Sequence, residues 1–198
     1  MILCVDLETT GLNEQESGIV EICACWLHNG AAFHRKCRPL PTARIDPQAL
    51  EMNGWTPERI ADPELIPEEL AISEFIGWVR GSDGLNEKVQ IAAWNAHFDH
   101  RHLCAGMDRA GIDGRHRPFI HRLLDVHSIL AARELERTFR ASLVVGNLLC
   151  AGGEIKNSDA GSELLGLAPE PKPHGAIAGA NQVRAMLRRL LGDLSALP

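Results

Sequence analysis

Ile2-Leu3-Cys4-Val5-Asp6-Leu7-Glu8-Thr9-Thr10-Gly11-Leu12 joins an apolar run to two acids one residue apart. Residues 2–5 are apolar and partly β-branched, which predicts a buried strand. Strand side chains alternate, so Asp6 and Glu8 point to one face. Two carboxylates side by side repel each other and are costly to bury unpaired. A divalent cation removes that cost, and Mg²⁺ or Mn²⁺ prefers oxygen ligands. Thr9-Thr10-Gly11 then ends the strand with hydroxyls, backbone amides and a flexible turn, a setting suited to phosphate chemistry. Taken alone, an Asp-x-Glu pair reads more readily as two acids that simply face solvent. The rest of the chain decides between the two.

Outward from this strand, Asn13–Gly18 is a polar turn and Ile19–Leu27 a second strand. His28-Asn29-Gly30 is a hairpin signal, and Ala31–Cys37 returns as a third strand, so a β-meander opens the fold. After an extended loop, Pro47–Asn53 is a short helix closed by Gly54. Thr56 caps a helix that starts with Pro57. Pro67–Arg80 has helical periodicity, with Leu70, Ile72, Phe75, Ile76 and Val79 inward. Lys88–Trp94 reads as a core strand leading into a helix that ends near Gly111. Phe119–Asp125 holds strand-like sequence before a helix to about Arg137, and residues 174–193 form the last helix. Residues 139–165 carry small residues, Gly146, Gly152 and Gly153 among them, but no clear period. Strands first, then alternating strand and helix, predict an α/β fold with a mixed sheet flanked by helices.

The 198 residues are expected to form a single domain, 1–198, with an ordinary 45% hydrophobic and 23% charged composition. No apolar run is long enough to span a membrane, and the opening strand lacks the basic start of a secretory signal. The expected location is therefore cytoplasmic, with no membrane partner. Most of Cys4, Cys23, Cys25, Cys37, Cys104 and Cys150 lie in apolar runs and read as buried thiols. A net charge of −6 argues against broad nonspecific duplex binding. Residues 97–122 nevertheless gather His97, His100, Arg101, His102, Arg109, Arg115, His116, Arg117, His121 and Arg122. They form either a solvated surface or a basic rim that guides a phosphate backbone.

Two further motifs carry chemistry. Trp94-Asn95-Ala96-His97-Phe98-Asp99 sets an acid at the start of a helix after a buried strand. His174-Gly175-Ala176-Ile177-Ala178-Gly179-Ala180 opens the final helix behind Pro171-Lys172-Pro173. His174 is a candidate general base, because imidazole titrates near neutral pH.

In this order the motifs resemble the DEDDh 3′–5′ exonucleases, the group that includes ribonuclease T and the proofreading subunit of DNA polymerase III. The family's first motif is complete at Asp6 to Leu12, and Ile45–Thr56 resembles its segment ending in His-Gly-Ile-Thr. The second motif appears with Trp94 in place of a His, and Leu124-Asp125-Val126 and Leu164–Leu191 resemble the later segments. The resemblance implies a ribonuclease-H-like fold, two Mg²⁺ or Mn²⁺ ions and hydrolysis of a 3′-terminal phosphodiester in DNA or RNA. It implies that Asp6, Glu8 and Asp99 hold metal and that His174 takes a proton from water. Thr9, Thr10 and Gly11 would hold the terminal 3′-OH, Leu12 would wedge against terminal bases, and Asn95 and Phe98 would shape the pocket. The expected partner is a single-stranded 3′ end; a polymerase or other protein partner fits the resemblance too.

One departure stands out. The family has a fourth acid five residues after its histidine, and this chain has Gly179. Residues 171–192 contain no Asp or Glu, so no acid in that window replaces it. Gln182 could face the site, but it is neutral. The loss predicts weak binding of one ion, since even outer-shell losses cost ~10–100-fold in affinity or activity. Three explanations follow: a degenerate exonuclease fold that binds nucleic acid or a partner, a slow enzyme completed by water or a distant acid, or an introduced substitution. On the pattern alone, Gly179→Asp should raise activity without disturbing the packing.

Overall fold

The computed structural model describes residues 1–81, 88–145, 155 and 157–192, with the backbone alone for 138–145. The expected meander is present. Strand β1 (Ile2–Thr9) pairs antiparallel with β2 (Ile19–Trp26), and β2 with β3 (Ala32–Arg38). β1 runs through Thr9, so Asp6 and Glu8 lie inside the strand, beyond the apolar run itself. A short helix α1 (Pro47–Asn53) ends on Gly54 at φ 69°, a left-handed turn that glycine adopts without strain. Thr56 accepts from the Arg59 N–H at 3.2 Å and caps α2 (Pro57–Ile60) as expected.

Pro67 does not open a helix. It closes a two-residue strand, β4 (Ile66–Pro67), parallel to β3, and helix α3 (Glu68–Gly81) follows. Ile72, Phe75, Ile76 and Val79 face inward as expected, but Leu70 is 47% exposed. Ala71 takes the inward place instead, because the buried face of α3 is centred one position on. Strand β5 (Gln90–Ala93) pairs parallel with β1, and helix α4 (Ala96–Arg109) follows it. Phe119 makes only an isolated bridge to Val89; the strand β6 itself is Leu124–Asp125. Helix α5 (Val126–Val145) runs past the expected end at Arg137. Helix α6 (Ser158–Leu164), capped by Asn157, lies in the stretch that has no clear period. Helix α7 (Ala176–Leu191) completes the described chain.

The six strands are ordered β4-β3-β2-β1-β5-β6 in a mixed sheet with helices on both faces. Leu3, Val5 and Leu7 of β1 pack with Ile72, Phe75, Leu103 and Met107 from α3 and α4. Cys4 faces the other way, among Leu130, Ala180, Val183, Met186 and Leu187 from α5 and α7. Coverage on both faces explains why all eight residues of β2 are buried. Gly179 and Ala180 present almost no side chain, which lets α7 lie close on β1. Cys4, Cys23, Cys25 and Cys37 are buried free thiols, as expected, and Cys104 is half-buried. Cys150 lies outside the described residues.

Candidate active site

Asp6 and Glu8 share the α7 face of the sheet with Cys4, because the three alternate with Leu3, Val5 and Leu7. Across the β1–β2 register Glu8 stands opposite Glu21, which is buried and held by His34 Nε2 at 2.7 Å. Asp99 reaches the same strand from α4. Pairing between β1 and β5 runs from Ile2 to Cys4, so the Leu7 N–H lies beyond it and donates to Asp99 Oδ1 at 3.1 Å. Asp125 holds the neighbouring backbone, accepting from Ala96 N at 2.9 Å and Ser128 N at 2.7 Å.

The electrostatics follow from this crowding. Burial pushes the Asp6 carboxyl well above the usual carboxylate range, and Asp99, Glu8, Glu170 and Glu21 add to it in that order. Glu8 is pushed up to about 8, by burial first and then by Glu21, Glu170 and Asp99, while a hydrogen bond from Asn53 pulls it back. Asp99 is raised to about 7, chiefly by burial, against the stabilising bond from Leu7 N. The charges that bear most on Asp6 are thus all carboxylates. Among the described residues, no three His, Cys, Asp or Glu side chains stand as a ready-made metal cage. The donor chemistry still suits a hard divalent cation. Its ligands are oxygens, and it supplies the positive charge that the neighbouring side chains do not.

His174 lies in the loop before α7 with its side chain 26% exposed. It lines a cleft of about 180 Å³ together with Asp6, Glu8, Trp94, Glu170, Gly179 and Gln182. Residues 6, 8 and 174 are therefore brought to one cleft, with Asp99 behind β1 on Leu7 N.

This geometry coincides with a family match. The model of the Exonuclease (RNase T) family fits residues 3–144. The chain belongs to the RNase T exonuclease family. Ribonuclease T of Escherichia coli (strain K12) is 30% identical over 128 residues, 58% of this chain and 57% of the relative. Ribonuclease T of Shigella flexneri matches to the same extent. The chain therefore spans less than two thirds of the relatives' length. Among solved structures, exonuclease I from Methylocaldum szegediense has a TM-score of 0.73 at 17% identity, over 100% of this chain and 41% of that one. E. coli exonuclease I in complex with a dT13 oligonucleotide gives 0.72 at 18%, over 99% and 42%. The nuclease domain of 3′hExo, a DEDDh family member bound to rAMP, gives 0.67 at 14%, over 96% and 90%. The ribonuclease-H-like fold is thereby shown, and divalent-metal dependence is general in the exonuclease family.

Against the exonuclease pattern, the chain differs most at Gly179. A Cβ built there would collide with the Asp6 carboxylate. The expectation that an acid at 179 leaves packing undisturbed is therefore corrected: Asp6 already fills that space. Gln182 does line the cleft, with its Nε2 donating to Ser162 Oγ at 2.7 Å. Trp94, in the place of the family His, packs edge-on against His127 at 5.2 Å and against Gly161.

The loop after β1 is held by its own hydroxyls, which leaves the expected role of its backbone groups open. Thr9 and Thr10 are buried; Thr9 Oγ1 donates to Gly11 O, and Thr10 Oγ1 donates to Arg44 O and accepts from Gly18 N. Their hydroxyls shape the loop. Leu12 is 77% exposed. Asn95 is exposed and makes no capping bond, and Phe98 is half-buried against the His102 ring at 4.3 Å. Part of the cluster at 97–122 is taken up by ion pairs or burial. Arg109 pairs with buried Glu68, Arg115 with Asp113 and Arg117 with Asp108, and His102 is fully buried. The rim reading survives only for exposed members such as His97, Arg101, His121 and Arg122.

Three site residues escaped sequence reasoning. Asn53 donates to Thr9 O at 3.1 Å and to Glu8. It occupies the His position of the His-Gly-Ile-Thr segment, so the alignment of that motif could have found it. Glu21 has no local signal; only strand register brings it to Glu8. Glu170 lies one residue before the acid-free stretch 171–192, and it lines the cleft.

Proposed function

We propose that this chain is a metal-dependent 3′–5′ exonuclease that hydrolyses 3′-terminal phosphodiesters of single-stranded DNA or RNA, with residues 1–198 acting as one domain. The observation that carries this reading is the set of carboxylates around Asp6, raised by burial and by one another, in a cleft that also holds His174. Asp6, Glu8 and Asp99 would hold Mg²⁺ or Mn²⁺, with one of two ions bound weakly for want of an acid at 179. When bound, the metal neutralises phosphate charge and acidifies water. His174 accepts a proton from the attacking water at Nε2. Backbone groups at Thr9, Thr10 and Gly11 position the terminal 3′-OH, and the exposed Leu12 side chain meets the terminal base. Asn95 and Phe98 shape the rim beside Asp99.

The partners of this proposal are 3′ ends; the family likeness leaves room for a polymerase or other protein as well. A cytoplasmic setting belongs to it too, supported by free thiols that suit a reducing compartment. No described helix is long and apolar enough to cross a membrane. Gly179 favours a second reading, a catalytically silent module that binds nucleic acid or a partner. The deciding experiment follows 5′-labelled single-stranded DNA and RNA with Mg²⁺ and with Mn²⁺, using Asp6→Asn as control. A ladder shortening from the 3′ end, lost in the control, is expected. Tight binding without hydrolysis in either metal would establish the silent module.

A further inference from the structure

Glu170 precedes the final helix in the loop after α6, and its side chain is only 6% exposed. A carboxylate so buried needs partners. Its Oε1 accepts from the Gly175 N–H at 3.3 Å, and its Oε2 lies 3.0 Å from His174 Nδ1. Gly175 is the N-cap of α7, a 16-residue helix with no acid in its first turn. The positive end of the helix dipole favours a negative charge there. On the other side of the imidazole, the Lys172 ammonium donates to His174 Nε2, and Lys172 is itself held by Asp159 at 3.0 Å.

These two neighbours define the state of the ring. A carboxylate only accepts hydrogen bonds, and an ammonium only donates them. A neutral imidazole between them carries its hydrogen on Nδ1, toward Glu170, and its lone pair on Nε2. That is the form a general base requires. We propose that Glu170 is the positioning residue for His174, an inference that rests on reading His174 as the base. When water attacks, its proton goes to Nε2 and the ring becomes an imidazolium with Nδ1–H still on Glu170. The new bond is oxygen to phosphorus, the bond broken is phosphorus to O3′, and the leaving oxygen takes a proton from solvent. Lys172 is 55% exposed on a flexible stem, so it yields Nε2 to the water. Both Glu170 oxygens already serve protein nitrogens, so Glu170 acts through His174 rather than as a metal ligand.

The test combines histidine ¹⁵N NMR with single-turnover hydrolysis of labelled single-stranded DNA in Mn²⁺, on the full chain. In the parent, His174 is expected as the Nδ1–H tautomer. Glu170→Ala should move it toward Nε2–H and slow the chemical step by roughly 10–100-fold, a part of the ~10²–10⁴-fold that a general base supplies. KM should hold, and Mn²⁺ affinity should fall no further than in Glu170→Gln, which removes the same charge. Glu170→Gln keeps an acceptor oxygen and should retain the tautomer and part of the rate. In a His174→Ala background, Glu170→Ala should cost nothing more. An unchanged tautomer in Glu170→Ala, losses that add in full to those of His174→Ala, or a larger fall in Mn²⁺ affinity than in Glu170→Gln would overturn the proposal. A parent that hydrolyses nothing would instead overturn the reading of the site, while the tautomer measurement still judges the Glu170–His174 contact.

Discussion

At position 179 the absence of a side chain is what lets Asp6 lie against α7. A methyl group there must push the Asp6 carboxylate aside. Because a flexible side chain gives way rather than backbone, the fold tolerates it, and Ala favours a helix by ~1 kcal/mol over Gly. Gly179→Ala is therefore expected to keep or raise the melting temperature while weakening Mn²⁺ binding about tenfold, on the scale set by disturbed metal shells. Calorimetric titration and thermal melts on the same sample check the opposed signs; a variant with parental Mn²⁺ affinity would contradict them. His102 makes a second test. It is fully buried, and its Nδ1 donates to Phe98 O at 3.1 Å. Burial holds its pKa below the ordinary 6.5. A folded pKa below the unfolded one means full stability above pH 6.5 and loss as pH falls below it, since the unfolded chain takes up the proton first. His100 is shifted the same way, so the comparison needs a variant. Urea midpoints between pH 7.5 and 5 should fall less steeply in His102→Gln than in the parent, and equal slopes would clear His102 of the role.

At the scale of elements, Trp94 and α6 are matched. A Cβ on Gly161 would meet the Trp94 ring at 2.5 Å and Leu130 Cδ2 at 3.2 Å. The ring is rigid, so overpacking should outweigh the gain in helix propensity. Gly161→Ala is expected to lose ~1–3 kcal/mol in denaturant unfolding. Replacing Trp94 by the smaller His in the same chain should recover most of that loss, as coupled neighbours do. Additive effects of the two changes would show that the contact is not the cause. The same contact joins α6 to the end of β5, beside the cleft that Trp94 lines.

For the whole molecule, the crowded carboxylates oppose folding until positive charge joins them. A ligand that binds only the folded state stabilises it by about 2.7 kcal/mol at a hundredfold excess over its Kd. For a chain of this size each kcal/mol moves the melting temperature by roughly 2–4 °C. Mg²⁺ or Mn²⁺ should therefore raise it by several degrees. Asp6→Asn should remove the response and, without metal, melt higher than the parent because a buried charge is gone. A metal-independent parent would count against the carboxylate cluster as an ion site.

Short-range chemistry was legible in the sequence. The alternation of Asp6 and Glu8, the hairpin after Trp26, the Gly54 turn and the Thr56 cap depend on neighbours within a few positions, and each is present as read. The ordered motifs placed the chain in its family and its fold. What the tertiary structure alone decided depends on packing across the chain. Close approach of α7 to β1 sets Asp6 in the space that an acid at 179 would need. Strand register sets Glu21 beside Glu8. Ion pairs engage Arg109, Arg115 and Arg117 of a basic cluster that reads in sequence as either a solvated surface or a rim. Glu170 has no pattern of its own. Its meaning comes from a loop that carries it 164 positions along the chain from Asp6 into the same cleft, against His174 Nδ1 and the first amide of α7. Local sequence reports spacing along the backbone, and such contacts are distances through space.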